Sequence, residues 1–124
     1  KNLEIVKKNT AYIAPGDYHM GLAKDKGEFI IKINQHRKVN RHRPSVDYTF
    51  HSIKKHEASK TIGVLLTGMG DDGARGMKYL KNNGATTIAE SEKTAIIFGM
   101  PQKAIQLNAV DHIVDLDKIS SVLF

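Results

Sequence analysis

TIGVLLTGMGDDG, residues 61–73, is the stretch that decides the fold. Its first seven residues are mostly apolar and rich in β-branched side chains, which is typical of a buried strand, and its glycines are typical of a turn. A helical pattern begins directly afterwards, so the stretch predicts a strand, a turn and a helix in succession. Asp71 and Asp72 stand where strand passes to helix, at the carboxyl edge of a predicted parallel sheet, where open α/β sheets place their sites.

The segments on either side extend this unit into an α/β domain. We predict strand 61–67, helix 72–82 with Gly84 as its C-cap, and strand 85–89, which together form a right-handed βαβ unit with parallel neighbours. The other predicted elements are a strand at 11–14, hairpin strands at 20–23 and 29–33 around Asp25-Lys26-Gly27, a helix capped by Ser45 with Val46, Phe50 and Ile53 on one face, a helix at 102–107, a strand at 109–114, and a helix at 117–123 capped by Asp117. The fold class is therefore α/β, with a mainly parallel, Rossmann-like sheet flanked by helices and one antiparallel β-hairpin.

Length and composition exclude several classes of protein. The 124 residues make one domain or part of one, and the absence of cysteine excludes disulfides, thiolate nucleophiles and cysteine-ligated metals. No apolar run approaches the roughly 18 residues that a membrane-spanning helix needs. The N-terminus also lacks the apolar core of a signal peptide. Because the chain begins with Lys1 instead of methionine, we expect a processed product or a shortened form of a longer protein.

The net charge of +6 arises from one segment of the chain. Residues 32–60 contain eight lysines and arginines against two acidic residues, and the remainder is balanced. A clustered basic patch attracts nucleic acid or an acidic protein, whereas the alternative is a solvated basic surface without a partner. The aromatic residues are too few, and not interleaved with the arginines, for a nucleic-acid binder. Nucleic acid is therefore not among the expected partners.

The residues alone leave several interpretations of the Asp71–Asp72 pair open. GMGDDG (residues 68–73) has the form G-x-G-x-x-G, and Glu90 follows at the end of the next strand, as in a dinucleotide-binding fingerprint. Two carboxylates at the place of the pyrophosphate disfavour that interpretation. One aspartate is explained as a cap of the following helix, and the other, if it points into the crevice, is suited to orient a catalytic histidine. Metal binding is disfavoured because no histidine or glutamate lies nearby at ligand spacing.

The candidate acid–base and nucleophilic residues are few. Of the six histidines, His42 is the most interesting because its loop precedes the strand that leads to Asp72, although a solvated basic loop is the alternative. No serine lies in a G-x-S-x-G elbow. The glycine-rich turn is not followed by the Gly-Lys-Ser/Thr of a phosphate-binding loop, so no P-loop is present.

Four sequence blocks occur in the same order in the chemotaxis protein-glutamate methylesterases (CheB), a family that this chain resembles from about Tyr12 to Val122. They are AYIAPGD (11–17), NRHRPSVD (40–47), LTGMGDDGA (66–74) and FGMP (98–101). The resemblance implies a cytoplasmic enzyme that hydrolyses the γ-methyl esters of glutamates on the cytoplasmic helices of bacterial chemoreceptors and releases methanol. Glutamine deamidation is an implied second activity. The implied chemistry is a Ser-His-Asp triad without metal or cofactor.

The resemblance also assigns roles to individual residues. The triad aspartate falls on Asp72, and the oxyanion-hole backbone donor falls on Met69. The residues expected beside the active site are His42, Gly70, Met100 and Pro101. The implied partners are chemoreceptor cytoplasmic helices and a receiver domain of the same protein, without insertion into the membrane. We expect the basic segment 32–60 to draw the enzyme to acidic receptor helices.

The chain departs from the family pattern at its N-terminal side. The family's serine turn and the following histidine segment are both absent, and His19 does not replace that histidine because it follows the APGD block instead of preceding it. We therefore expect residues 1–124 to be the C-terminal portion of a catalytic domain, an incomplete domain that is inactive alone. The competing functions are a dinucleotide-binding oxidoreductase domain and a non-catalytic interaction module.

Overall fold

The computed structural model describes residues 1–123. Two sheets are present in this range, an antiparallel pair and a parallel three-stranded sheet. The elements, in chain order, are β1 (His19–Asp25), β2 (Glu28–Asn34), α1 (Val46–His51), a 3₁₀ helix (Lys55–Lys60), β3 (Ile62–Leu65), α2 (Ala74–Asn82), β4 (Thr86–Glu90), α3 (Gly99–Gln106), β5 (His112–Val114), a second 3₁₀ helix (Leu116–Lys118) and α4 (Ile119–Leu123).

The parallel sheet carries the predicted βαβ unit. Its strand order is β3-β4-β5, with Ile62 paired to Thr86 at the start of β3. Helix α2 connects β3 to β4 and packs on the sheet through Met77 and Leu80, which are fully buried. The prediction of a parallel βαβ unit is confirmed, and β3, β4 and β5 therefore end at the same edge of the sheet.

The antiparallel pair is the predicted hairpin. Strands β1 and β2 pair from His19–Asn34 to Asp25–Glu28, and the turn is Lys26-Gly27. Helix α1 lies on the hairpin, where the Thr49 hydroxyl donates to the Met20 carbonyl oxygen at 2.6 Å. The Ser45 hydroxyl accepts the Tyr48 N–H, so the predicted N-cap of this helix is confirmed. The helix ends at His51, two residues earlier than the apolar pattern through Ile53 suggested.

Several predicted elements are wrong or have different limits. No strand forms at residues 11–14, because the free edge of β2 is taken instead by residues 3–6, whose backbone bonds to Phe29 and Ile31. The C-terminal helix is divided into a 3₁₀ turn and α4, and its N-cap is Asp115 instead of Asp117. Similarly, Asn83 is the C-cap of α2 and Gly84, with φ of +99°, follows it.

The remaining differences concern the ends of elements near the sheet edge. Strand β3 covers 62–65 and α2 begins at Ala74, because the intervening residues leave the sheet to form a loop. Helix α3 begins at Gly99, three residues before the predicted start, and β5 is limited to His112–Val114. Within residues 1–123, no helix has the length and apolar character needed to cross a membrane.

Candidate active site

The candidate site lies in the loop between β3 and α2, at the carboxyl edge of the parallel sheet. This loop, residues 66–73, contains the glycine-rich stretch and both aspartates. The loop approaches α1 on one side, through Asp72, and α3 on the other, through Gly68. The predicted location at the strand ends is therefore confirmed for Asp72, Met69 and Gly70.

Asp72 is buried against the beginning of α1. The residue is only 5% exposed. Oδ1 accepts hydrogen bonds from the Asn40 amide at 2.9 Å, the Ser45 hydroxyl at 2.7 Å and the Asp47 N–H at 3.2 Å. Oδ2 accepts the Val46 N–H at 2.7 Å. Asp72 thus caps the neighbouring helix α1, and the interpretation that an aspartate of this pair caps its own helix is wrong: α2 has Gly73 at its N-cap and no acidic residue in its first turn.

Asp47 provides the reciprocal contact. It lies in the first turn of α1 and is 3% exposed. Its Oδ1 accepts the Gly76 N–H in the first turn of α2 at 2.6 Å, and its Oδ2 accepts from the Asn40 amide at 2.7 Å. Each helix therefore has a carboxylate from the other at its N-terminal end, where free N–H groups and the helix dipole favour negative charge.

The hydrogen bonds to Asp72 decide its charge state. Burial raises the pKa of this carboxyl, but the hydrogen bonds from Asn40, Ser45, Val46 and Asp47 outweigh burial, so the pKa lies below its usual value of 3.8. Asp72 is therefore ionised at neutral pH. Among residues 1–123, Oδ1 accepts from three donors and Oδ2 from one, so the donors are shared unevenly. Oδ2 is therefore the less occupied oxygen and the one able to accept a further N–H.

Met69 and Gly70 form the outermost part of the loop. Met69 is 78% exposed, and Gly70 has φ of +88°, a left-handed conformation that glycine adopts without strain. The loop is fixed just before them, since the Gly68 N–H donates to Ile97 at 2.8 Å and the Gly68 carbonyl accepts the Met100 N–H at 2.9 Å. Within residues 1–123 neither the Met69 nor the Gly70 N–H has an acceptor, so both are available to an anionic oxygen.

Helix α3 supports this loop from the other side. A Cβ on Gly99 would lie 3.1 Å from both the Gly68 carbonyl oxygen and the Gly70 nitrogen, and one on Gly68 would overlap the Met100 sulfur. Met100 thus lies beside the loop and packs on Gly68, whereas Pro101, the next residue of α3, is fully buried. The place of Pro101 in the site stays a prediction.

Glu90 has a structural position that excludes the dinucleotide interpretation. It is 1% exposed, its Oε1 accepts the Thr67 N–H at 2.9 Å, and its Oε2 accepts the Thr94 hydroxyl at 2.9 Å. A ribose-binding acid must face the ligand, whereas Glu90 is buried and committed to the loop that follows β3. Glu90 therefore positions the start of the glycine-rich loop.

The structure does not bring a histidine to Asp72. His42 is exposed and joins Val39 through two backbone hydrogen bonds, in the turn that also contains Asn40. No histidine within residues 1–123 contributes a hydrogen bond to the Asp72 carboxylate. His19 is fully buried, stacked on Tyr48 with ring centres 4.3 Å apart. The role of His42 stays a prediction.

Three residues that the structure places in the site were not assigned to it from the sequence. Ser45 was expected only as a helix cap, and Asn40 and Asp47 had no individual role, although all three lie in the NRHRPSVD block. The positive φ of Asn40, +54°, reflects a turn that the polar composition of this loop did not reveal. Their contact with Asp72 joins segments far apart in sequence, so no local pattern signals it.

Comparisons with known proteins identify the family and the fold of this chain. The family model "CheB methylesterase" matches residues 1–123. The protein-glutamate methylesterase/protein-glutamine glutaminase of Salmonella typhi is 50% identical over 117 residues, which cover 94% of this chain and 34% of the relative. The protein of the same name from Escherichia coli O157:H7 is 49% identical over 117 residues, with the same coverage.

A solved structure matches at the level of the fold. The crystal structure of the Thermotoga maritima CheB methylesterase catalytic domain superposes with a TM-score of 0.95 at 40% sequence identity, covering 99% of this chain and 65% of that chain. The predicted fold class is therefore confirmed, and the chain spans about a third of the length of its curated relatives. With a family match over residues 1–123 and a fold shared almost throughout, the chain belongs to the CheB methylesterase family.

Proposed function

We propose that the protein to which these residues belong hydrolyses glutamate γ-methyl esters on the cytoplasmic helices of chemoreceptors, releasing methanol. It acts in the cytoplasm, in the adaptation of chemotaxis, and deamidates glutamines as a second activity. The relatives' printed name, protein-glutamate methylesterase/protein-glutamine glutaminase, supports both activities. A receiver domain of the same protein is a further proposed partner.

Asp72 is the proposed acid of a Ser-His-Asp triad. The observation that carries this role is its buried, ionised carboxylate with one acceptor position of Oδ2 unfilled among the described residues. In such a triad the aspartate holds the imidazole in the correct tautomer and stabilises the imidazolium that forms when the serine loses its proton. The serine and the histidine are supplied from outside these 124 residues, which form the C-terminal portion of the catalytic domain.

The glycine-rich loop is the proposed oxyanion hole. Attack of the serine on the ester carbonyl places negative charge on its oxygen, and the Met69 N–H donates to that oxygen while the exposed thioether takes no part. Gly70 adopts its left-handed φ without strain in this loop, and Met100 supports the loop from α3. One such donor contributes about 2.7–4 kcal/mol to the stabilisation of a transition state. His42 is proposed to lie beside the bound substrate.

Methanol release from methylated receptor membranes by the full-length protein tests this function. We expect release by the wild type, and a fall in kcat of about 10⁴-fold in Asp72→Asn, because the histidine loses the carboxylate that fixes its tautomer. Asp71→Asn is the matched control: this exposed neighbour has no side-chain hydrogen bond within residues 1–123, and we expect near wild-type release. The isolated 124-residue chain is expected to release none.

Two outcomes would contradict the proposal. A full-length protein that releases no methanol from methylated receptors would leave the interaction-module function in its place. Equal loss of activity in Asp71→Asn and Asp72→Asn would show that negative charge in the loop matters, and not the capped carboxylate of Asp72 in particular.

A further inference from the structure

The amide of Asn40 lies between two buried carboxylates. Its nitrogen is 2.7 Å from Oδ2 of Asp47 and 2.9 Å from Oδ1 of Asp72. An amide nitrogen carries two hydrogens, so both of its donors are used and each carboxylate receives one. Asn40 is the side chain that links the two reciprocal helix caps.

Two carboxylates that share a buried site disfavour each other's ionisation. A neutral group with two donors is suited to the space between them, because it stabilises both charges and adds none. The other charged groups near this point are few. Asp71, Arg75 and Lys103 line, with Asn40 and Asp47, a polar cavity of about 170 Å³. The remaining donors to Asp72 are uncharged: the Ser45 hydroxyl and the N–H groups of Val46 and Asp47.

The loop that carries Asn40 is held in place from several directions. Val39 and His42 exchange backbone hydrogen bonds at 2.9 and 3.0 Å, and Asn40 and Arg41 between them have φ of +54° and +67°. Both positive angles are those of a tight two-residue turn, in which asparagine is well tolerated. The same loop is anchored by Arg43, which donates to Asp17 at 2.7 and 3.1 Å. Asn40 is thus presented to Asp72 by an ordered turn.

We propose that Asn40 is a positioning residue for the esterase reaction: its amide fixes Oδ1 of Asp72 and separates Asp72 from Asp47, which leaves Oδ2 to the histidine. The inference rests on the proposed function of Asp72. Asn40 supplies one of the three donors on Oδ1, whereas Oδ2 receives only one donor among the described residues.

Two substitutions in the full-length protein test this role. Asn40→Gly removes the amide while keeping a residue that accepts a left-handed φ, and Asn40→Asp keeps the shape but replaces the donor with a third carboxylate. We expect kcat for methanol release to fall about 10- to 100-fold in both, with KM changed less than about threefold, because a misplaced triad acid affects the chemical step more than binding.

The pH profile distinguishes positioning from a merely structural role. Loss of the donor leaves more uncompensated negative charge beside the histidine, so the imidazolium is stabilised. The acidic limb of kcat/KM should therefore move to higher pH, and further in Asn40→Asp than in Asn40→Gly. The pKa of the Asp72 carboxyl, followed by ¹³C NMR with Asp72→Asn for assignment, should rise in both variants.

Asn108→Gly is the matched control, since Asn108 also has a left-handed φ, +60°, and lies after α3, outside the set of Asp72 donors. It should keep the wild-type kcat, pH profile and Asp72 pKa. Circular dichroism melting of all three variants verifies that they are folded.

The outcomes separate this inference from the proposed function. If the wild type releases methanol and Asn40→Gly retains its kcat and acidic limb, the positioning role is overturned and the esterase function stands. If the wild type releases no methanol, the esterase function fails, and the Asp72 titration decides the local claim. The positioning role in catalysis then fails with the function: an unchanged Asp72 pKa in Asn40→Gly also overturns the local claim that Asn40 stabilises the Asp72 charge, and a raised one supports that local claim alone.

Discussion

Asp72 combines two tasks in one carboxylate. It closes the N-terminus of α1 through the N–H groups of Val46 and Asp47, and its Oδ2 receives only one donor among the described residues. Both tasks need the ionised form, because a protonated carboxyl is a weaker acceptor for helix N–H groups and cannot stabilise an imidazolium. The hydrogen bonds that hold the charge thus serve stability and the proposed chemistry together.

The stability of the protein should depend on the ionisation of Asp72. Its pKa in the folded state is lower than its usual value of 3.8, so its contribution is complete above that value and is lost as the pH falls through the folded-state pKa. We expect the urea concentration at the unfolding midpoint of the wild type to decrease when the pH is lowered below about 4. Asp72→Asn should be less stable at pH 7, by about 0.5–2 kcal/mol for the lost cap, and should show a smaller loss on acidification.

Asp71→Asn is the comparison for this measurement, and it should keep both the neutral-pH stability and the acid dependence of the wild type. Other carboxyls with a lowered pKa, those of Asp17, Glu57 and Asp115, also contribute to the acid dependence and are present in every variant. If the stability of Asp72→Asn falls with decreasing pH as steeply as that of the wild type, the cap that Asp72 provides does not depend on its charge.

The prediction of this residue from sequence succeeded in part for a physical reason. The strand–turn–helix pattern of residues 61–81 is local, so it placed Asp72 at the sheet edge correctly. Its partners Asn40, Ser45 and Asp47 belong to another segment, and only the packing of α1 on α2 brings them together. Local patterns predict the element on which a residue lies, but not which distant groups will surround its side chain. The catalytic roles of Asp72 and Met69 stay predictions.

The two helices that cap each other approach very closely. A Cβ on Gly76 would lie 2.7 Å from the Phe50 Cβ and 2.9 Å from Oδ1 of Asp47. The Phe50 Cβ is fixed to the backbone of α1, and the Asp47 oxygen is held by its bond to the Gly76 N–H, so α1 would have to move away from α2. Gly76 is therefore required by the packing of the two helices and not by its backbone conformation.

Gly76→Ala should destabilise the protein although alanine is the better helix former by about 1 kcal/mol. The overpacking cost is about 1–3 kcal/mol, and the displaced Asp47 also loses its bond to the Gly76 N–H. Urea unfolding measures the net effect, for which we expect a loss of stability. Gly16→Ala is the control, because a Cβ there has open space and the φ is not left-handed. A Gly76→Ala protein as stable as Gly16→Ala would refute the close approach.

Element types were predicted better than element ends. The βαβ unit and the hairpin follow from hydrophobic periodicity, which is a property of whole segments. The end of β3 does not, because Leu66 and Thr67 continue its apolar, β-branched pattern, although the Thr67 N–H donates to the Glu90 carboxylate and the Thr67 hydroxyl exchanges hydrogen bonds with the Ile97 backbone outside the sheet. Residues 11–14 also have a strand-like composition, yet the edge that could pair with them is occupied by residues 3–6.

At the scale of the whole molecule, the parallel sheet has an open side. Strand β3 pairs only with β4 among the described residues, and Ile62 on it is 48% exposed. The solved relative extends beyond this chain, which covers 65% of it. An unpaired, apolar strand edge is a template for further strand pairing.

The isolated 124-residue chain should therefore self-associate, which sedimentation velocity over a range of concentrations measures. Ile62→Lys should reduce the association, because a charge on an edge strand opposes pairing. Ile13→Lys is the matched control: Ile13 is also exposed but lies outside any strand, and its replacement should have little effect. A monomeric wild-type chain at all concentrations, or equal effects of the two lysines, would contradict a role of the β3 edge.

The basic segment is not one patch in the folded molecule. Arg37, Lys38 and Arg41 belong to the loop that presents Asn40, whereas Lys54, Lys55 and Lys60 lie beyond the opposite end of α1. The charge near the candidate site is thus smaller than the +6 of the whole segment suggested. Any attraction of acidic receptor helices to the site falls mainly to the first three residues.

The reciprocal caps have a consequence for how the protein reaches its working form. The groups that surround Asp72 come from residues 25 to 32 positions earlier in the chain. Contacts of such separation form only after the loops between them have closed, which local helices and turns do not require. A chain that has regained its helices but has not packed α1 on α2 still lacks the hydrogen bonds that position the Asp72 carboxylate. The arrangement of donors around Asp72 is therefore expected late in folding, with the tertiary structure and not with the secondary structure.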